Sequence, residues 1–166
     1  MVFHVGETRR YLEMTSPSEL RPAPEPSDAV TISRLDPPDP EVNRKLYVSV
    51  GRNYRWVDRL VWTDDQWTAY AHAPDLETWV MQIDGAPAGY FELEVPRDRE
   101  AQIMYFGLLP DFIGRGLGGH LLTWAVRRAW EAGARRVWLH TSSFDHPQAL
   151  ANYLARGFRV YDTEER

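Results

Sequence analysis

The 166-residue chain contains no cysteine. That excludes disulfides, thiolate zinc sites and a cysteine nucleophile. It has no apolar run of membrane-spanning length, and residues 1–10 do not read as a signal peptide. Cytoplasm is the expected compartment, with no membrane partner. Lysine is nearly absent, since Lys45 is the only one beside 18 arginines, and the net charge is −5. A net acidic chain is a poor general binder of nucleic acid phosphates, so no nucleic acid partner is expected. No internal repeat is present.

What is there is enough for one globular domain, with 43% hydrophobic and 13% aromatic residues. The charge is uneven. Residues 1–109 carry −7 and residues 110–166 carry +2. An asymmetry of this kind can mark a place for an anion.

Residues 1–29 read as a strand or hairpin over Val2–Met14 followed by a linker marked by Pro17, Pro22, Pro24 and Pro26. Residues 30–166 carry the main domain. Val30–Leu35 alternates like a half-buried strand. Asp39 as N-cap, Pro40 at the first position and Gly51 as the stop give a helix over Glu41–Val50. Thr63 and Gln66 form a capping box that opens a second helix ending near Pro74. Trp79–Ile83, Asp84-Gly85 and Gly89–Val95 read as a β-hairpin. Strands over Gln102–Leu108 and Arg136–Thr141 flank an amphipathic helix over Gly116–Ala132. Asp145 or His146 is the expected cap of a last helix beginning at Pro147 and ending at Gly157, before a short strand over Phe158–Tyr161. The order implies a mixed α/β fold.

The glycine-rich stretch 113–119 joins a strand to a helix. Glycine lets the backbone turn tightly and approach a ligand, and a helix start offers unpaired N–H groups and a positive dipole end. Together they suit a phosphate or pyrophosphate. Two anion-site patterns compete. Gly114, Gly116 and Gly119 satisfy G-x-G-x-x-G, the dinucleotide fingerprint of nicotinamide enzymes. Its context fails, because residues 110–113 separate the strand from the first glycine. About twenty residues further on stands Leu139-His140-Thr141, where a ribose would need an acidic residue.

The second pattern fits better. Ile113-Gly114-Arg115-Gly116-Leu117-Gly118 resembles [QR]-x-x-G-x-[GA], the acyl-CoA pyrophosphate loop of the GNAT superfamily of N-acetyltransferases. It departs only at Ile113. His146-Pro147-Gln148-Ala149-Leu150-Ala151-Asn152-Tyr153-Leu154-Ala155-Arg156-Gly157-Phe158 resembles that family's N-x-x-A-x-x-x-Y-x-x-x-G-F, departing at His146. The resemblance covers roughly residues 30–161. It implies a GNAT-like mixed sheet, splayed open between the strands at Gln102–Leu108 and Arg136–Thr141, flanked by helices. It implies acetyl-CoA in that opening and no metal. The pantetheine would pair with Phe106, Gly107 and Leu108. The pyrophosphate would lie on Ile113, Gly114, Arg115, Gly116, Leu117, Gly118 and Gly119, with Asn152, Tyr153 and Arg156 alongside.

The implied reaction is direct attack of an amine on the thioester. Tyr153 matches the family's general acid, and a phenol with a pKa of about 10 is protonated at neutral pH. Gln102 stands where some members carry a glutamate base; amide chemistry lets it position an amine or water, not take a proton. His140, near the end of the strand across the splay, is the alternative base. The acceptor, a small-molecule amine, is expected among Tyr54, Arg55, Trp56 and Arg59, with Trp67 and Trp79 in the core. Family members usually have one more strand after the last one here. Val2–Met14 is therefore expected to supply the missing edge or a homodimer contact. A non-catalytic acyl-CoA-binding module is the remaining alternative.

Overall fold

A computed structural model describes residues 3–166. Met1 and Val2, the start of the expected Val2–Met14 strand, lie outside the described residues. Among the described residues, seven strands form one sheet: β1 (Thr8–Met14), β2 (Val30–Arg34), β3 (Leu76–Ile83), β4 (Ala86–Glu94), β5 (Glu100–Leu108), β6 (Arg136–Ser142) and β7 (Arg159–Glu165). Four helices flank it: α1 (Pro40–Gly51), α2 (Asp64–Ala71), α3 (Leu117–Glu131) and α4 (Ala149–Ala155). The strand order is β2-β3-β4-β5-β6-β1-β7. Every neighbouring pair is antiparallel except β5 and β6.

Local chemistry sets these boundaries. Asp39 accepts from the Glu41 N–H at 3.2 Å and Pro40 opens α1. Thr63 and Gln66 form the reciprocal capping box of α2. Asp84 and Gly85 turn the β3–β4 hairpin, both with positive φ (51° and 78°), as a tight two-residue hairpin turn requires.

Alternation on β4 divides the core. Phe91 and Leu93 face a cluster that α3 closes with Leu117, Leu121, Leu122, Ala125 and Val126. Tyr90 faces the opposite cluster, where α1 and α2 add Leu46, Tyr47, Val50 and Trp67. Burying such side chains contributes about 1.5–3 kcal/mol each. Trp79 stacks on Phe91, with ring planes 11° apart.

The N-terminal segment joins the same sheet through β1. β1 is an interior strand rather than the sheet's edge: it lies between β6 and β7, burying Leu12 and Met14 completely. β7 is the edge strand beside it. On the polar side of β1, Glu13 binds Arg136 at 2.8 Å and Arg159 at 3.1 Å. The proline-rich linker then crosses the start of α3, where the Ala23 N–H donates to Thr123 Oγ1 at 3.0 Å. Among the described residues, no helix is long and apolar enough to cross a membrane.

Candidate active site

The sheet opens where the sequence suggests. β5 and β6 pair only through Glu100–Arg136, Ala101–Val137 and Gln102–Trp138. Beyond that, β5 bulges. Tyr105 faces Glu92 and Ile103 faces Leu93, which leaves Met104 without a partner on β4. A bulge adds twist and bends the strand that carries it. Here it stands just past the last β5–β6 pair. The backbone from Ile103 to Leu108 therefore has no partner on the β6 side. It lines a cleft of about 730 Å³ between the diverging strands.

The same cleft continues onto the glycine loop. Gly114 and Gly116 have φ of 90° and 76°, a region that costs other residues steric strain. Gly116 is the N-cap of α3 and no side chain caps the helix. The first N–H groups of α3 are thus left for a ligand. Gly119 is glycine for another reason: a Cβ there would overlap Arg156 Nη1 and press on Ala23. Asn152 Nδ2 donates to Gly118 O at 3.1 Å, tying α4 to the loop. The buried Arg156 Nε has no partner among the described residues. Unpaired helix-start donors and left-handed glycines fit a pyrophosphate; the Arg156 guanidinium lies beside Gly119 but outside the cleft lining. Arg115 is exposed, its guanidinium 5.2 Å from the Phe112 ring, and it lies outside the cleft lining. Ile113 lines the cleft at its exposed margin.

α4 begins at Ala149, two residues later than the sequence suggests, and neither Asp145 nor His146 caps it from the N-cap position. Asp145 instead accepts from Thr141 Oγ1 (2.7 Å) and the Ser142 N–H (2.8 Å), closing the end of β6. His146 Nδ1 accepts from the Gln148 N–H at 3.0 Å.

Tyr153 and His140 line the one cleft from different elements. Tyr153 is buried against Phe106 and Phe158, and its hydroxyl has no hydrogen-bond partner among the described residues. Burial, reinforced by the Asp145 carboxylate, raises its pKa, so the phenol holds its proton. His140 packs beside Tyr11, ring centres 5.6 Å apart. Burial, with Arg9 adding repulsion, pushes its pKa down to about 4. Gln102 belongs to the last β5–β6 pair and stands outside the cleft lining.

The residues expected at the acceptor divide. Tyr54, Arg55, Trp56 and Asp58 line the cleft. Arg59, expected beside them, does not. It is 4% exposed and its Nη1 binds Glu92 Oε1 at 3.0 Å. The rings of Tyr70, Tyr105 and Trp62 surround its guanidinium within 4.0–4.7 Å. The fully buried Glu92 needs a cation, and Arg59 is committed to it. His4 and Glu7 were not expected in the site, yet they line it. Glu7 is paired with Arg9 at 3.0 Å. No motif marks these two; only the insertion of β1 next to β6 brings them there.

The Acetyltransferase (GNAT) family matches residues 41–158. An S-alkylcysteine N-acetyltransferase of Bacillus subtilis (strain 168) is 31% identical over 78 residues, which is 46% of this chain and 44% of that protein. A GCN5-related N-acetyltransferase from Kribbella flavida superposes with a TM-score of 0.67 at 20% identity, over 95% of this chain and 58% of that one. The ribosomal-protein-S18-alanine N-acetyltransferase of Escherichia coli gives 0.64 at 20% identity, over 81% and 80%. The chain thus spans roughly half the length of the first two. The splayed sheet, the glycine loop and the matched segment that contains both come from one source: the chain belongs to the GNAT family of acetyltransferases.

Proposed function

We propose that this protein is an N-acetyltransferase that moves the acetyl group of acetyl-CoA to the primary amine of a small molecule, in the cytoplasm. The observation that carries this reading is continuity. An unpaired strand edge runs from Ile103 to Leu108, and a 3-10 turn at Pro110–Phe112 followed by the glycine loop carries the chain from it to the uncapped start of α3. The edge offers Phe106, Gly107 and Leu108 to a pantetheine by strand-like pairing. Gly114 to Gly119 take the pyrophosphate, with Arg156 beside Gly119. Acetyl-CoA supplies the acyl group, and the chain's own residues supply position and protons.

The amine nitrogen bonds to the thioester carbon, the C–S bond breaks, and an acetamide and free CoA result. Tyr153 donates its proton to the departing sulfur and regains one from solvent. His140 stays neutral and accepts a hydrogen bond from the amine. Its low basicity leaves solvent in the cleft as the final proton acceptor. Tyr54, Arg55 and Trp56 orient the acceptor. The partial relative that acts on S-alkylcysteine supports a small amino-acid-like amine.

Free-thiol release from acetyl-CoA over a panel of amines tests this reading. Tyr153→Phe is expected to lower kcat by about 10²-fold with little change in CoA affinity. CoA binding without thiol release for any amine would support a binding module instead.

A further inference from the structure

The loop between α1 and α2 crosses the cleft mouth and is held on its far side. Three consecutive residues meet the turn that follows β6. The Tyr54 ring lies edge-on to His146, 5.9 Å between centres. The Arg55 guanidinium lies 4.0 Å over Phe144. Trp56 Nε1 donates to Asp145 Oδ1 at 3.3 Å. Arg55 has φ of 59°, left-handed for a residue with a Cβ. Such a conformation carries steric strain and persists where its surroundings hold it.

Trp56 is fixed at both ends. On the far side, Asp145 is itself anchored by Thr141 and Ser142. On the near side, a Cβ on Gly51 would overlap the indole, so that glycine makes room for the ring. The ring lies 4.7 Å from Tyr105 and 5.7 Å from Tyr47, centre to centre. Its Cη2 comes within 3.7 Å of where a side chain on Gly107 would begin. Gly107 is the middle residue of the edge assigned to the pantetheine. The indole therefore spans the splay, one end beside Gly107 on β5 and its N–H on the turn that follows β6.

We propose that Trp56 is the end wall of the acyl pocket and limits the protein to short acyl groups. An acetyl group ends before the indole, while a longer chain runs into a ring that cannot swing aside. The Asp145 hydrogen bond and the Gly51 contact are what hold the ring. Trp56 is a specificity-determining residue, and its role rests on the acyl-CoA reading above.

Isothermal titration of CoA, acetyl-CoA, butyryl-CoA and octanoyl-CoA into the wild-type chain, Trp56→Phe and Trp56→Ala tests the idea. The wild type is expected to bind CoA and acetyl-CoA within about threefold of each other, and octanoyl-CoA at least about tenfold more weakly. Trp56→Ala is expected to bring the octanoyl-CoA affinity to within about threefold of the acetyl-CoA affinity. Trp56→Phe keeps a ring without the N–H and is expected to fall between. Octanoyl-CoA binding the wild type as tightly as acetyl-CoA overturns the wall and leaves the acyl-CoA reading intact. An unchanged ratio in Trp56→Ala also overturns it. Failure of CoA itself to bind overturns both. If Trp56→Ala does not fold, the wild-type series and Trp56→Phe decide.

Discussion

The two walls of the cleft are built in opposite ways. The wall proposed for the cofactor is mostly backbone, drawn from one stretch between Ile103 and Gly119 plus the facing side of α4. The wall proposed for the acceptor is side chains, gathered from His4, Glu7, Tyr54, Arg55, Trp56, Asp58, His140 and Asp145. The first depends on glycines and a helix start. The second depends on packing that brings distant segments together. Damage to buried supports should therefore fall mainly on the acceptor wall, and strain in the glycine loop mainly on the cofactor wall.

The largest expected effect comes from removing the foundation of the acceptor wall. Glu92 accepts from Arg59, from Tyr70 at 2.6 Å and from Asn43 at 2.8 Å, with none of its surface exposed. Arg59 lies three residues after Trp56, and its N–H donates to the Tyr47 hydroxyl at 3.2 Å. Glu92→Ala leaves a buried guanidinium unpaired and should cost about 3–5 kcal/mol. At this chain length thermal denaturation should fall by about 10 °C. Glu92→Gln, which keeps an oxygen for Tyr70 and Arg59, should cost less. The folded fraction should still bind CoA. An unchanged melting temperature in Glu92→Ala would break the comparison at its base.

His140 comes next, because it stands where the walls meet. An unfolded histidine titrates at 6.5 and this one at about 4, lowered by burial and by Arg9 and partly offset by Asp58 and Glu164. The unfolded chain then binds the proton more readily than the folded one. The stability tied to a neutral His140 is complete above about pH 6.5 and is lost as pH falls towards 4. The loss approaches about 3 kcal/mol. His140→Asn should flatten the fall in melting temperature between those pH values relative to the wild type. Identical slopes would mean that the imidazole is not buried neutral.

A smaller change should strike the cofactor wall alone. Nothing lies within 4 Å of a Cβ built on Gly116, so Gly116→Ala meets only the strain of φ at 76°. That strain is about 1–2 kcal/mol. If relaxation of the loop carries it, CoA affinity should fall about tenfold while Trp56 and His140 stay in place. Calorimetric titration of CoA reads it. An undiminished affinity would show that the left-handed turn is not what presents the helix donors.

The same contrast explains what the sequence disclosed. The glycine loop, the caps at Asp39 and Thr63, the Asp84-Gly85 hairpin and the Tyr153 helix are local patterns, and each was readable from residues close together. Arg59 reads as an acceptor residue because its neighbours Tyr54, Arg55 and Trp56 do line the cleft. Only Glu92, 33 residues away, reveals its commitment. Asp145 looked like a helix cap because it precedes Pro147. Its partners Thr141, Ser142 and Trp56 could not be seen without the strand end and the crossing loop. His4 and Glu7 enter through β1, whose position between β6 and β7 is a property of topology. The bulge at Met104 likewise has no residue signature.

The smallest effect is expected where the chain departs from its family's loop pattern. Ile113 stands at a position usually held by Gln or Arg. Its side chain is 36% exposed, and its N–H closes the turn by donating to Pro110 O at 3.3 Å. If the cofactor wall is backbone, that side chain contributes little. Ile113→Gln should then shift stability by no more than about 0.5 kcal/mol, as surface substitutions do. CoA affinity should change by less than about twofold, since the helix-start donors and the φ values of Gly114 and Gly116 are untouched. A gain of about tenfold would mean that the amide supplies a hydrogen bond the backbone lacks. The cofactor wall would then rest on a side chain, as the acceptor wall does.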